Sequence, residues 1–590
     1  MRILTLLFVF VSSALFCQED WLTHYERSGK TKTPRYEETL DFCRRLDEAS
    51  GKVSLVSFGK SAQGRDLPLM IIDRDGLSDP KEIREQGRII LLVQACIHPG
   101  EAEGKDAGLL LIRDMIIHHE QELLLDHVSL IFIPIFNVDG HERFGPFNRI
   151  NQNGPEEMGW RVTANNLNLN RDFLKAETPE MRAWLFLFNT WMPDFFIDTH
   201  TTDGADYQYP LTYLLEIFGN MDQGLTDWTR EVFIPEMTGA MDQRGFPVFP
   251  YVDFRRWHDP RSGLVSEVAP PMLSQGYTSL RNRPGLLIET HMLKPYPVRV
   301  EATYQCILSS LEILAKNKKE VQDLIRNADE SVCSPTFREK PFPLQFQVLE
   351  NDSIMVPFRG FDYSLEKSTV SGGSWFKYSN TPSTFLLPYF SINVPTVDAH
   401  LPYAYIIPAE WTLVIEKLRI HDVEMKFLKT QEMIHVSTWR FSNPKWQQNP
   451  YEGRHPLVQF DLEEITEERS FRPGSAIVEV SQKSARIIAH LLEPKGNGSL
   501  LYWGYLDAIF EQKEYAENYV LEKMALEMLR DPAIKKEYEH KMRSDSVFAK
   551  NPQQILFWFY AKSPYVDQRR MIYPIGKITS KEVLKRLTDQ

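Results

Sequence analysis

His98 and Glu101 stand three positions apart in CIHPGE, with Pro99 and Gly100 between them, where the apolar run RIILLVQA (88–95) gives way to the amphipathic AGLLLIRDMI (107–116). An imidazole and a carboxylate at such a seam can serve a tight turn, or they can be two ligands of a metal. Catalytic zinc takes two histidines and one carboxylate and keeps its fourth position open, so a third ligand has to stand at a comparable seam. His200 in FFIDTHTTDG directly follows another apolar strand. Either histidine alone reads more readily as a turn or core residue. Together, at the carboxyl ends of strands where open α/β sheets bind ligands, they read as a metal site. A hydrolytic site also needs a base for the attacking water, and GLLIETH offers Glu289 at the end of a third apolar run. His291 lies beyond that strand end and at most supports the site. In WRVTANNLNLNRDF, Asn170 and Arg171 place an amide beside a guanidinium, a pair able to grip a carboxylate through several donors. Arg161, nine residues earlier, can reach the same cleft and stabilise an oxyanion.

The elements that must position these residues alternate short apolar strands with amphipathic helices from about 21 to 328. Runs such as RIILLVQA, VSLIFIPIF (128–136), DFFIDT (194–199) and GLLIE (285–289) suit strands buried on both faces. Leu109, Ile112 and Ile116 fall at helical spacing, and Thr178 with Pro179 forms an N-cap and first-turn signal for TPEMRAWLFLFNTW. The expected fold is α/β, with a mixed, largely parallel central sheet flanked by helices over residues 20–328. A proline-spaced stretch, SVCSPTFREKPFPLQF, reads as a linker. Residues 335–470 read as a β-rich accessory domain, and 471–590 as a partly helical α+β C-terminal region.

The 590 residues carry a formal charge of −13, which excludes the basic face of a nucleic-acid binder. Residues 1–17 (MRILTLLFVFVSSALFC) have the pattern of a secretory signal: Arg2, an apolar stretch to Phe16, then polar sequence. That stretch is shorter than the ~20 residues a spanning helix requires. The reading is an exported chain, periplasmic or secreted, cleaved near Cys17. Cys43, Cys96, Cys306 and Cys333 show neither a disulfide framework nor zinc-knuckle spacing and read as core residues. Asn497-Gly498-Ser499 matches the short glycosylation sequon.

Taken in order, His98-Pro-Gly-Glu101, Asn170-Arg171, His200 and Glu289 resemble the zinc metallocarboxypeptidase family typified by carboxypeptidase A. Gly59, Ser61, Gly64 and Arg65 in FGKSAQGRDLPLMII resemble the family's leading strand, and FNVDGHE resembles its Asn-Pro-Asp-Gly turn with Val138 in place of proline. The resemblance covers about residues 35–325. It implies one zinc ion per chain on His98, Glu101 and His200, and Glu289 as general base and proton donor to the leaving amine. It also implies that Arg161 polarises the scissile carbonyl, with Arg149 a rival in the same loop region. Asn170 and Arg171 would hold the free C-terminal carboxylate of a peptide, and Tyr277 would be the mobile tyrosine that covers it. Two positions depart from the family. Asn168 stands where many members have an aspartate that orients a zinc histidine, and Gly100 where some carry arginine. The implied activity is a zinc-dependent carboxypeptidase. The alternatives are a deacylase of N-acyl amino acids on the same fold and a catalytically dead binding module. Side-chain preference would be set between about 250 and 285, where YVDFRRWHDPRSG and SLRNRP are charged and aromatic.

Overall fold

The computed structural model describes residues 21–202, 204–257 and 259–589. The expected signal segment and its cleavage point lie outside them. Among the described residues, ten strands form before residue 292: β1 (Val53–Lys60), β2 (Asp66–Ile72), β3 (Ile89–Gln94), β4 (Val128–Ile133), β5 (Phe195–Thr202), β6 (Leu211–Leu214), β7 (Val248–Pro250), β8 (Asp253–Arg256), β9 (Asp259–Val265) and β10 (Gly285–His291). Eight of them build one sheet in the order β1-β2-β4-β3-β5-β10-β6-β7. Its centre, β4-β3-β5-β10, is parallel, and β1–β2, β2–β4 and β10–β6 are antiparallel, so the sheet is mixed as the sequence predicts. Every residue of β3, β4 and β5 is buried, which is why those strands read as unbroken apolar runs.

Helices cover both faces. Glu103–Ile116 lies close on the sheet because two glycines face it. A Cβ at Gly104 would sit 1.8 Å from Thr199 Oγ1, and one at Gly108 would sit 2.3 Å from the Phe132 ring. Pro179–Trp191 begins as the sequence indicates, with the Thr178 hydroxyl accepting from the Met181 N–H. The long helix Tyr296–Cys333 closes the unit.

The second half departs from the expected division. Strands β11 (Phe342–Val348), β12 (Ile354–Lys367), β13 (Ser374–Phe390) and β14 (Asn393–Ala399) follow the long helix. The long β12–β13 hairpin adds to β9 and β8 in a sheet that spans both halves of the chain. The proline-spaced segment is no free linker, since Phe342 and Leu344 are buried and β11 pairs with β14. A two-stranded ribbon tolerates the missing N–H of Pro343. Then β15 (Ala404–Ile407), β16 (Lys426–Phe427), β17 (Glu432–Trp446), β18 (Leu457–Phe471), β19 (Ala476–Glu479) and β20 (Gly576–Ile578) form one sheet, ordered β16-β19-β15-β20-β17-β18. The boundary expected at 470/471 therefore cuts a single sheet. The three residues of β20 are too few to show an alternating pattern, so its return from the C-terminus is invisible in the sequence.

One apolar core runs without a break from Ile90 and Leu92 through Trp184 and Tyr277 to Tyr405 and Ile487, welding the C-terminal sheet to the first unit. Cys43, Cys96 and Cys306 are buried and Cys333 is half-buried, all as free thiols. Ser499 of the Asn497 sequon is buried in a turn, where its hydroxyl accepts from the Tyr502 N–H. Among the described residues no helix is long and apolar enough to cross a membrane.

Candidate active site

The carboxyl ends of β3, β5 and β10 open on one cleft of about 580 Å³. After β3 the chain turns through Cys96, in the left-handed region at φ 57°, and brings His98 and Glu101 to the rim ahead of the helix Glu103–Ile116. His200 lies within β5 and pairs in register with Glu289 on parallel β10. Their side chains converge: His98 Nδ1 is 3.1 Å from Glu101 Oε1, and His200 Nδ1 is 3.0 Å from Glu101 Oε2 and 3.2 Å from His98 Nδ1.

Both rings turn Nδ1 toward the same point because the opposite nitrogens are occupied. His98 Nε2 is 2.9 Å from Asn168 Oδ1, and His200 Nε2 is 2.9 Å from Asp198 Oδ2. Asp198 is held in turn by Gln94 Nε2 at 3.0 Å. An amide or carboxylate facing the outer nitrogen of a histidine is the usual support of a metal-ligating imidazole. One ligand atom from each of His98, Glu101 and His200 falls within 4.8 Å of the others, and all three residues are buried. Two imidazoles and a carboxylate in this arrangement fit zinc.

Burial and the neighbouring charges shift His98, Glu101, His200 and Glu289. Burial would raise Glu101, but the charges of His98 and Arg149 and hydrogen bonds from both histidines hold it well below the usual carboxylate range. Burial takes His98 down to about 4, against the attraction of Glu101. His200 is raised well above its ordinary value despite burial, chiefly by the charge of Asp198. Burial carries Glu289 up to about 8; His200 and Arg161 oppose this, while the carboxylates of Glu101 and Asp198 add to it. Glu289 Oε2 is buried without a hydrogen-bond partner among the described residues, so it faces the cleft as an unused acceptor.

Asn170 and Arg171 line the same cleft. The Ser274 N–H donates to Asn170 Oδ1 at 3.1 Å, which leaves the amide N–H groups as that side chain's free edge. Arg161 reaches the site with half its side chain exposed, Nη1 lying 3.3 Å from Glu101 Oε1. Arg149 also arrives, bonding Glu101 Oε1 through Nη2. A Cβ at Gly100 would lie 2.7 Å from Arg149 Nε. The absence of a side chain at 100 thus lets a cation from another segment occupy that place.

Other expectations fall differently. Tyr277 does not cover the cleft. It is fully buried in the helix Ser274–Leu280, its hydroxyl 2.9 Å from His421 Nδ1 and its ring among Phe173, Trp184 and Phe188. An aromatic set in that packing cannot swing into solvent. The tyrosine that does line the cleft is Tyr251, just after β7, and Leu273 and Gln275 line it too. Tyr251 opens the YVDFRRWHDPRSG stretch expected to set side-chain preference, but nothing in that stretch singles it out; it follows β7, which pairs with β6. In SLRNRP the arginines are structural: Arg283 pairs with Asp329 at 3.1 Å, and Arg281 donates to the His421 carbonyl. His291 is no ligand, because Nε2 bonds the Ala205 carbonyl at 2.8 Å and Nδ1 accepts from the Leu293 N–H at 3.1 Å. The leading strand and the FNVDGHE turn meet at Asp139, which accepts from the Ser61 hydroxyl, the Gln63 N–H and Arg65 at 2.7–2.9 Å.

Residues 39–210 match the family model described as zinc carboxypeptidase. Carboxypeptidase 2 of Trichophyton rubrum is 23% identical over 501 residues, 81% of this chain and 85% of the relative. Its counterpart in Trichophyton equinum is 22% identical over 503 residues, with the same coverage. Among solved structures, a metallo-carboxypeptidase from Burkholderia cenocepacia overlays 48% of this chain and 69% of its own at 15% identity and a TM-score of 0.36.

Proposed function

We infer that this chain, a hydrolase carrying a zinc carboxypeptidase domain, removes the C-terminal residue of peptides. The carrying observation is that the His98–Glu101–His200 cluster, Glu289 and the Asn170-Arg171 pair all line one cleft. His98 Nδ1, Glu101 and His200 Nδ1 would hold the zinc, one per chain. An ion there would supply a Lewis acid with an open position that makes a water acidic near neutral pH.

The chain's own residues do the rest. The Asn170 amide and Arg171 guanidinium bind the substrate's terminal carboxylate by charge-assisted hydrogen bonds. That places the last peptide bond over Glu289. Glu289 Oε2 takes the proton of the attacking water and returns it to the leaving amine. Arg161, the more exposed of the two arginines at Glu101, turns its guanidinium to the carbonyl oxygen as charge develops there. The pattern of residues 1–17 supports export, with action outside the cytoplasm.

The test uses three substrates: a blocked peptide with a free C-terminus, the same peptide as its C-terminal amide, and an N-acyl amino acid. Arg171 is half-buried, and a bound terminal carboxylate would take the pair out of water; losing one partner of such a buried charge pair typically costs ~2–5 kcal/mol, so the acid should exceed the amide in kcat/KM by roughly two to three orders of magnitude. A ratio near one, or preference for the N-acyl amino acid, would overturn the carboxypeptidase reading.

A further inference from the structure

Four residues far from the catalytic motifs, Tyr451-Glu452-Gly453-Arg454, form the tip of an arm between β17 and β18. Tyr451 and Arg454 exchange backbone hydrogen bonds of 2.8 and 3.0 Å, and Glu452 and Gly453 between them take φ 48° and 77°. Two consecutive residues in the left-handed region make the tight two-residue hairpin turn for which a polar residue followed by Gly is suited.

This tip docks on the segment 167–177 of the first unit, and each of its residues meets that segment. Arg171 donates its Nε–H to the Tyr451 hydroxyl at 3.2 Å. The Asn168 N–H donates to Glu452 Oε2 at 2.9 Å. A Cβ at Gly453 would sit 3.3 Å from Leu167 Cδ2, and Arg454 Nε donates to Glu177 Oε1 at 2.8 Å. Tyr451 is itself braced, its ring stacked on Trp503 with centroids 6.0 Å apart and planes 10° from parallel.

The segment it grips holds both halves of the cleft. Asn168 Oδ1 accepts from His98 Nε2 and, at 2.9 Å, from the Asn170 N–H that opens the turn carrying Arg171. Arg171 also donates Nη1 to the Asn170 carbonyl at 2.6 Å. With Nε–H given to Tyr451 and one Nη1 hydrogen to the backbone, the guanidinium is left with its Nη1/Nη2 end for a ligand. A planar fork held at two points loses little further freedom on meeting a carboxylate.

We propose that Tyr451 and Glu452 are positioning residues of the substrate-carboxylate site, so that the C-terminal unit completes exopeptidase recognition. Tyr451 fixes which edge of Arg171 faces the cleft, and Glu452 fixes the Asn168–Arg171 turn. The proposal rests on Arg171 reading a terminal carboxylate, as inferred above.

The test is made on the zinc-loaded full chain, with the free-acid and amidated forms of one peptide. Tyr451→Phe keeps the ring on Trp503 and removes only the hydroxyl. KM for the acid should rise roughly tenfold, the loss of one hydrogen bond to a charged group. The amide's constants, kcat for the acid, zinc content and thermal midpoint should hold. The acid-to-amide ratio in kcat/KM should then drop by about that factor. Glu452→Ala should lower the ratio as well, and Glu452→Gln, which keeps an acceptor for the Asn168 N–H, should restore most of it. An unchanged ratio in both Tyr451→Phe and Glu452→Ala, alongside a collapsed one in Arg171→Lys, overturns this proposal and leaves the carboxypeptidase reading standing. Equal losses on acid and amide overturn it too, because they mark a structural role. A native ratio near one removes the parent reading and this proposal with it.

Discussion

Replacing Asn168 by alanine probes the support of the metal site without touching a ligand. The side chain of Asn168 makes two contacts: its Oδ1 accepts from His98 Nε2 and from the Asn170 N–H, both at 2.9 Å. Removing it frees the His98 ring to rotate and to shift its proton to Nδ1, the nitrogen that faces Glu101 and His200. Loss of such an outer partner typically weakens metal affinity by ~10–100-fold, which is about 1.4–2.8 kcal/mol at 1.4 kcal/mol per tenfold. The lost cap over Asn170 adds a local effect of ~1 kcal/mol on the turn. Asn168→Asp keeps the acceptor and adds a charge, which makes the imidazole more basic, so zinc should bind more tightly than in the native protein. The assay is competition for zinc against a chromophoric chelator at pH 7.5, for all three proteins. The expected order is aspartate, asparagine, alanine, from tightest to weakest. An alanine variant within twofold of native would refute the argument that Asn168 sets the His98 ring. So would an aspartate variant weaker than native.

Glu289→Gln should keep zinc and fold while turnover falls by ~10²–10⁴, the usual range for a lost general base; near-normal turnover would place the base elsewhere. Tyr277→Phe should leave kcat and KM at native values, since the hydroxyl meets His421 and not the cleft, and should lower stability by ~1 kcal/mol through that lost hydrogen bond. A large kinetic effect would refute the burial argument. His490 is buried with neither ring nitrogen bonded among the described residues, and burial carries it down to about 3. The folded chain therefore keeps it neutral while the unfolded chain protonates it below about 6.5, so its penalty is absent above that pH and grows as pH falls. His490→Leu should gain roughly 2 kcal/mol relative to native on going from pH 7.5 to 5, read from paired denaturant titrations; a pH-independent difference would sink the assignment.

The chemistry-bearing core was legible because its signals are local. Each of His98, Glu101, His200 and Glu289 sits at or shortly after a mostly apolar run, and a strand buried on both faces shows itself largely by composition. The α/β alternation and the Thr178 cap follow from neighbours within a few residues, while the support of a zinc histidine by Asn168 is implied only by the family resemblance, its partner His98 lying 70 residues away. What the tertiary structure alone decided lies across long separations. Tyr277 and Tyr251 both precede Glu289 within reach of the motif, and only packing tells which is locked in a core and which lines the cleft. Arg149 reaches Glu101 across 48 residues through the gap left by Gly100. Three residues near the C-terminus close a sheet that begins at 404, and Glu452 holds the N–H of Asn168 from 284 residues away. Periodicity records which face of an element is buried, but not which distant element covers it; that choice is made when the apolar faces of the two units are brought together into one core.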